Sequence, residues 1–346
     1  MSRYSTDENI CTTLINMKPL TFSILRQLSD SEFHSGATIS RSLGVSRTSV
    51  SNALRSLDEV GLTVHKVHGR GYRIVDPVQW LERDIILRHL GEEALNFNLE
   101  ILDIAESTSS LLLKKAAAME LNSSSVNIQV VAAELQTSGR GRRGRQWHSG
   151  LGDGLIFSVL WRFQQGPSFL SGLSLAVGVA IIRTLESAGI KGVSLKWPND
   201  VMFNFCKLAG TLIELQGDMF GPTFAVIGVG MNLKLSENIQ ARIDQGATDV
   251  FSISGKMPDR NKLLAALLIN LVMMLREFEH QGFAPFKNEW TDHHICGNKP
   301  VTLHLPDGSS QEGVVQGVAD DGSLLLRTAA GSRGYSSGEI TLCRMA

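Results

Sequence analysis

The chain has 346 residues, of which 43% are hydrophobic and 19% charged, with 33 Lys/Arg against 34 Asp/Glu and a net charge of −1. This composition excludes whole-chain disorder, a collagen-like polymer and a disulfide scaffold, and the length accommodates two or three domains. Residues 1–75 hold nine Lys/Arg against six Asp/Glu, a mild excess that permits a nucleic-acid partner there without requiring one.

Pro19 opens a helix predicted over 19–28, with Leu20, Ile24, Leu25 and Leu28 at helical spacing. Ser35-Gly36 opens a second helix through Leu43, closed by Gly44. Ser46 caps a third, carrying Val50, Leu54 and Leu57 and ended by Gly61. Two short strands, 62–67 and 72–75, flank His68-Gly69-Arg70-Gly71. This is the layout of a winged helix-turn-helix. Pro77 marks the start of a second domain, with a helix over 80–90 ended by Gly91. Strands are predicted at 98–104, 128–134, 155–160, 193–196, 209–215 and 223–229, and helices at 111–120, 173–187 and 260–280. The last fifty residues read as strands 301–305, 311–318, 323–327 and 338–342, with Asp307-Gly308 and Asp321-Gly322 as turns. They suggest a small β-barrel, SH3-like in size. The domains are expected at 1–76, 77–290 and 291–346.

Cys11, Cys206, Cys296 and Cys343 lie far apart, in no Cys-x-x-Cys pair and no zinc-like spacing, as expected for reduced thiols of a cytoplasmic protein. The longest apolar stretch, 263–275, contains Asn270 and is too short for a membrane span. Arg3, Asp7 and Glu8 stand where a secretory signal needs an apolar run. His293-His294 has no acidic or cysteine partner at metal-ligand spacing.

The strongest chemical signal is Gly139-Arg140-Gly141-Arg142-Arg143-Gly144-Arg145, followed by Gln146-Trp147. Arginine offers a planar fork for carboxylate or phosphate oxygens, and glycine lets backbone approach a ligand closely. Four crowded cations repel each other, so an anion should help to order them. The Gly-Lys-Ser/Thr ending of a phosphate-binding P-loop is missing, and a solvated basic loop is the plain alternative. Lys196-Trp197-Pro198-Asn199-Asp200 presents lysine, amide and carboxylate at a strand end. Lys196 could neutralise a phosphate and Asp200 could help to hold Mg2+, although taken alone the motif reads better as a Lys–Asp surface turn. In Lys207-Leu208-Ala209-Gly210-Thr211-Leu212 a lysine begins a strand of small residues, as a ligand contact or as an edge gatekeeper. Gly228 and Gly230 share one strand face and would make a bare floor for a compact ring, or a β-bulge. Ser107, Thr108 and Ser109 suit a helix N-cap and could also bind a polar head group. Gln136 is a further polar contact or a solvent-facing loop residue.

Taken together, these motifs resemble the biotin protein ligase family, in its bifunctional biotin operon repressor type. The resemblance covers nearly the whole chain: winged helix, ligase domain and C-terminal barrel in the same order. Gly-Arg-Gly-Arg-Arg-Gly at 139–144 matches the family's biotin loop, and 196–200 and 207–210 match independently. It implies a multidomain α+β fold whose central mixed-sheet α/β ligase domain is class II synthetase-like. It also implies a two-step reaction: biotin and MgATP give biotinyl-5′-AMP and pyrophosphate, and the adenylate then acylates a lysine of a biotin carboxyl carrier protein. Biotin would meet Ser107, Thr108, Ser109, Gln136, Gly139, Arg140, Gly141, Arg142, Lys207, Gly210, Leu212, Gly228 and Gly230. ATP would meet Arg142, Trp147, Lys196, Asn199, Asp200 and Asn232. Arg142, Lys196 and Lys207 would be catalytic. The family's loop is disordered without ligand.

The resemblance further implies that the adenylate acts as corepressor by favouring a homodimer. Two recognition helices would then reach a two-fold operator through Ser46, Arg47, Thr48, Ser49 and Asn52, with His68 and Arg70 on the wing. Two departures stand out: Glu106 and Ser109 replace Asp and Asn of the common Asp-Ser-Thr-Asn, and Ala247 stands where some relatives place an aromatic over adenine. The alternatives are a ligase whose winged helix does not regulate, and a lipoate-type ligase, which lacks this form of arginine loop. A DNA-binding regulator without catalysis would leave Lys196 and Lys207 without shared purpose.

Overall fold

The computed structural model describes residues 17–55, 57–118, 127–219 and 221–342; Cys11, Cys343 and residues 119–120 of the helix expected over 111–120 lie outside them. The first unit holds α1 (Pro19–Gln27), α2 (Gly36–Leu43) and α3 (Arg47–Ala53), then the antiparallel hairpin β1 (Val64–Val67) and β2 (Gly71–Ile74). The hydroxyls of Ser35 and Ser46 accept the Thr38 and Ser49 amides at 3.0 Å, which starts α2 and α3. Gly44 at φ 65° ends α2 in the left-handed region. The helix expected to reach Gly61 instead stops at Ala53, and a 3₁₀ turn over Leu57–Val60 carries Leu57 and Val60 into the core. The Val60 carbonyl leaves the helical ladder to accept the Leu151 amide of the next domain at 2.9 Å.

The helix expected from Trp80 begins at Arg83, as α4 (Arg83–Leu90). The Leu81 and Glu82 amides donate instead to Glu134 Oε1 (2.6 Å) and Asn261 Oδ1 (2.7 Å), which holds this stretch out of the helix. There follow β3 (Phe97–Ala105), α5 (Thr108–Ala118), β4 (Ile128–Gln136), β5 (Gly154–Phe163), α6 (Leu173–Ser187), β6 (Ser194–Lys196), β7 (Asp200–Phe203), β8 (Cys206–Gly217) and β9 (Thr223–Asn232). The helices α7 (Glu237–Gln240), α8 (Val250–Ser254), α9 (Arg260–Gln281) and α10 (Lys287–Asp292) complete the unit. The sheet order is β3-β4-β5-β9-β8-β7-β6. Only β3 and β4 pair in parallel, so the sheet is mixed, as expected. The apolar sides of α6 and α9 share one core with the sheet, whereas α5 packs with Val131, Leu160, Phe224 and Val226 in a separate cluster.

The C-terminal unit is a five-stranded antiparallel sheet: β10 (Pro300–His304), β11 (Ser310–Val318), β12 (Leu324–Thr328), β13 (Gly331–Tyr335) and β14 (Glu339–Leu342). Its order is β13-β12-β11-β10-β14, with a register shift between Val315 and Gly317. The ladder among the described residues does not close on itself, and β13 was not expected from the sequence. Val301, Leu303, Val315, Leu324, Leu326 and Ile340 belong to the same core as the central sheet, and Trp197 Nε1 donates to the Gly322 carbonyl at 3.0 Å. Among the described residues no helix is long and apolar enough to cross a membrane.

The joint between the first two units is polar at its centre. Glu134 and Arg260 form a 2.7 Å ion pair with both side chains fully buried. Arg260 also donates to the Gln79 and Gly154 carbonyls, so one guanidinium ties linker, sheet and α9 together. Leu135 and Leu151 join the winged-helix core beside Val78 and Trp80. Removing one partner of such a pair leaves a buried charge uncompensated. Glu134→Ala is therefore expected to lower unfolding free energy by about 3–5 kcal/mol, measured by urea denaturation; a loss below about 1 kcal/mol, the range of an exposed pair, would contradict this role.

Asp153, at the same joint, is half-buried, but its Oδ2 is shielded from solvent and faces the Gly61 and Gly150 backbone. Burial pushes its carboxyl up to about 7, and the opposing pull of Ser236, Lys234 and Arg260 is smaller. The folded chain thus keeps a proton that the unfolded chain releases near pH 3.8. Stability from this group is full below that pH and is lost as pH rises through 7. Asp153→Asn should flatten the decline of the thermal midpoint between pH 5 and pH 8 relative to the parent; parallel curves would exclude Asp153 as the titrating group.

Candidate functional site

The turn between β3 and α5 places Ser107, Thr108 and Ser109 against the end of β4, and all three are buried. The Thr108 amide and hydroxyl both donate to Gln136 Oε1, at 2.8 and 3.1 Å. Gln136 is therefore a buried acceptor and not a solvent-facing loop residue. Ser158, in the middle of β5, bridges the Thr108 and Ser109 hydroxyls at 2.8 and 3.0 Å. Ser107 Oγ accepts the Ser110 amide at 3.4 Å, so capping and site-lining coincide.

These hydroxyls wall one side of a cavity of about 50 Å³ whose other walls include Arg140, Arg142, Lys207 and Leu212. Gly228 and Gly230 share a face of β9, as expected, but the floor is not bare. The indole of Trp147 lies where a Cβ on Gly230 would stand, 2.5 Å from Cε2, and 3.5 Å from the corresponding point on Gly210. Ser109 Oγ occupies the equivalent space at Gly228, at 2.6 Å. The protein's own tryptophan fills the floor, so a bicyclic ligand lying there displaces the indole. Trp147 Nε1 and Thr211 Oγ1 are buried with no hydrogen-bond partner among the described residues, two polar atoms available to a ligand.

The arginine loop is a closed turn. The Trp147 amide donates to the Gly139 carbonyl and the Gly141 amide to the Arg145 carbonyl. Gly139 cannot carry a side chain, because its Cβ would stand 2.4 Å from the Trp147 carbonyl oxygen. Arg143 (φ 57°) and Gly144 (φ 73°) take the left-handed conformation at the tip. The expected need for an ordering anion is met from within. Arg140 pairs with Glu214 at 2.5 Å, and Arg145 and Arg143 lie 2.5 and 3.6 Å from Glu339. The Glu339 carboxyl is held below its ordinary range by Arg145 above all. Arg142 stands apart: it donates to Asn199 Oδ1 at 3.3 Å and has no carboxylate at ion-pair distance among the described residues. Burial lowers its pKa, with Asp200 partly compensating.

Lys207 Nζ lies 2.6 Å from Asp200 Oδ1 and 5.7 Å from the centre of the Trp147 ring. Asn199 anchors to the Thr211 carbonyl at 2.8 Å. Asn232 does not line the cavity; its side chain donates to the Thr248 carbonyl at 3.0 Å and straps residues 246–248 beside Lys207. Ala247 bridges to Lys207 in that strap. Lys196 pairs with Asp200 across β6 and β7 and lies outside the cavity lining. Asp200 is engaged by Lys207, and no group of three or more metal-ligating side chains occurs among the described residues. The residues fit a Mg2+ ion held mainly by phosphates with at most one carboxylate.

On the first unit, Arg47, Thr48, Asn52, His68 and Arg70 are exposed on α3 and the hairpin. Ser46 and Ser49 are tied hydroxyl to hydroxyl at 2.8 Å as a cap. Asn52 accepts from Arg55, and Arg70 stacks 4.2 Å over the Phe33 ring. Sequence reasoning missed Ser158, Glu214 and Glu339. The one signal that could have found Ser158 is its lone hydroxyl in an otherwise apolar strand. The two glutamates carried no local signal, because their partners lie 74 and 194 residues away.

The Biotin/lipoate A/B protein ligase family matches residues 104–232, an HTH domain matches 21–73, and the Biotin protein ligase C terminal domain matches 297–342. The chain is 35% identical to the bifunctional ligase/repressor BirA of Salmonella typhimurium, over 94% of this chain and 97% of that one. Identity to its Escherichia coli counterpart is also 35%, over 94% and 98%. Among solved structures, a biotin protein ligase from Aquifex aeolicus in complex with biotin and ATP superposes with a TM-score of 0.59 at 30% identity, over 72% of this chain and 99% of that one. Fold, arginine loop and similarity along nearly the full length agree: this chain belongs to the biotin protein ligase family, in its bifunctional ligase/repressor branch.

Proposed function

We propose that the chain makes biotinyl-5′-AMP from biotin and ATP, transfers biotin to a lysine of a biotin carboxyl carrier protein, and represses a biotin operon as an adenylate-bound homodimer. The observation that carries this reading is Arg142: a half-buried guanidinium lining the cavity with no carboxylate at ion-pair distance among the described residues, while its neighbours are neutralised. The first step joins two anions, a carboxylate and a triphosphate. A site must hold them together against repulsion and stabilise charge as pyrophosphate leaves.

In this reading Thr108, Ser109, Gln136 and Ser158 hydrogen-bond the biotin head, with Ser107 behind them. Gly139, Arg140 and Gly141 close over it, and Gly210, Leu212, Gly228 and Gly230 shape its bed. The biotin carboxylate exchanges for Asp200 at Lys207, and Arg142 meets the α-phosphate. Trp147 and Asn199 flank the nucleotide. Asn232 acts by holding the 246–248 strap, and Lys196 acts from the rim. Asp200 would be the carboxylate to help hold a Mg2+ ion brought with ATP, which would offset phosphate charge. The carrier lysine then attacks the acyl carbonyl and AMP leaves. The domains divide at 76/77 and 290/291. Arg47, Thr48, Asn52, His68 and Arg70 face DNA; Ser46 and Ser49 fix the start of the recognition helix.

Operator binding by fluorescence anisotropy, with pyrophosphate recorded in parallel, tests both halves. Binding that tightens only with biotin plus MgATP supports the coupled ligase–repressor. Pyrophosphate release without tightening leaves a ligase whose winged helix serves another role. Arg142→Gly should release free biotinyl-AMP more than about tenfold faster, the loss of one charge-assisted contact of about 1.5 kcal/mol or more, and raise background biotinylation of bystander lysines. Retention equal to the parent would remove Arg142 from the adenylate site.

A further inference from the structure

The four loop arginines are not equivalent, and the difference traces to two carboxylates. Glu339 reaches in from the C-terminal sheet and serves Arg143 and Arg145 at the distal end of the loop. Glu214 belongs to β8, the strand that carries Gly210 and Leu212 in the cavity wall. Positions 210, 212 and 214 alternate onto one strand face, so Glu214 stands at the rim of that wall. Its ion-pair partner among the described residues, Arg140, crosses from the loop to reach it at 2.5 Å. The two side chains keep 25% and 38% of their exposure, enough for water and salt to compete for the contact.

We propose that Glu214 is a positioning residue that latches the arginine loop shut through Arg140 and so sets how long the acyl-adenylate is retained. Glu214 touches neither reacting carbon nor phosphorus in this arrangement. It fixes one edge of the loop to the same rigid sheet that forms the ligand bed, while Arg142 remains free for the anion. Opening the latch exposes the mixed anhydride to an incoming amine. The inference rests on the reading that an acyl-adenylate forms under this loop.

The test uses the full-length chain loaded with radiolabelled biotin and MgATP, chased with unlabelled biotin, and assayed for release of labelled biotinyl-AMP at about 0.05 M and 0.5 M salt, where the screening length falls severalfold. In the parent, release is expected to quicken with salt. Glu214→Gln, which keeps the shape and loses the charge, should release about three- to fivefold faster at low salt, the range of a partly exposed ion pair, and respond less to salt. Glu214→Asp should fall between the two. Single-turnover pyrophosphate formation at saturating biotin should stay at the parental rate in both variants. Parental release by Glu214→Gln would overturn the latch. So would faster release with the full parental salt response, which marks a packing role. Absence of pyrophosphate from the parent itself would instead overturn the underlying adenylate reading.

Discussion

Crowding four guanidinium groups into six residues is the constraint on which the rest of this site depends. Like charges at such spacing cannot fold over a cavity unless something neutralises them. The chain solves this with carboxylates from two distant places, Glu214 on the central sheet and Glu339 on the C-terminal sheet. Three arginines are thereby satisfied, and the fourth, Arg142, is left half-buried in the cavity wall without a carboxylate at ion-pair distance among the described residues. The C-terminal unit is thus part of the site's construction. Its shared core with the central sheet gives Glu339 a fixed position from which to act.

A second charge problem is solved beside the site, at the same C-terminal end of β4. Glu134 lies two residues before Gln136 on that strand, and it binds the linker amide of Leu81 while pairing with Arg260. One strand therefore carries both a cavity-lining acceptor, Gln136, and the anchor of the segment that leads to the winged helix. Leu135, between them, packs into the winged-helix core. Any displacement of β4 is felt on both sides, because packed cores deform little. The polar joint also accounts for the upward shift of the Asp153 carboxyl: burial of its Oδ2 against the backbone of Gly61 and Gly150 disfavours the charged form.

The elements most legible in the sequence were those with a sustained period and clear punctuation. The helix expected at 173–187 is α6 to the residue, and Ser35, Gly44 and Ser46 bound α2 and α3 as their chemistry requires. Failures came where long-range partners overrode local preference. Trp80 to Glu82 have helical neighbours, yet Glu134 and Asn261 claim their amides. The strand β7 follows directly on a proline turn, and β13 (Gly-Ser-Arg-Gly-Tyr) has no apolar alternation, so both are strands through pairing with their neighbours, β6 and β8 for one and β12 for the other. For the site, the motifs at 107–109, 139–147 and 207–212 converge on one cavity. Lys196 and Asn232 do not line it, since one sits on an edge strand and the other is spent on a backbone strap.

By itself, the sequence determined which chemistry was present: arginine forks on glycines, hydroxyls at a helix start, a lysine beside small residues. These are local choices, set by residue type and spacing within a few positions. Only the tertiary structure decided the state of each group. It selected which arginine stays without a carboxylate, seated Trp147 on the glycine floor, and paired Lys207 with Asp200. Charge compensation and burial are properties of what surrounds a side chain, and here the surroundings come from residues up to 196 positions away. No window along the chain contains that information, because folding alone brings those partners within a hydrogen bond of each other.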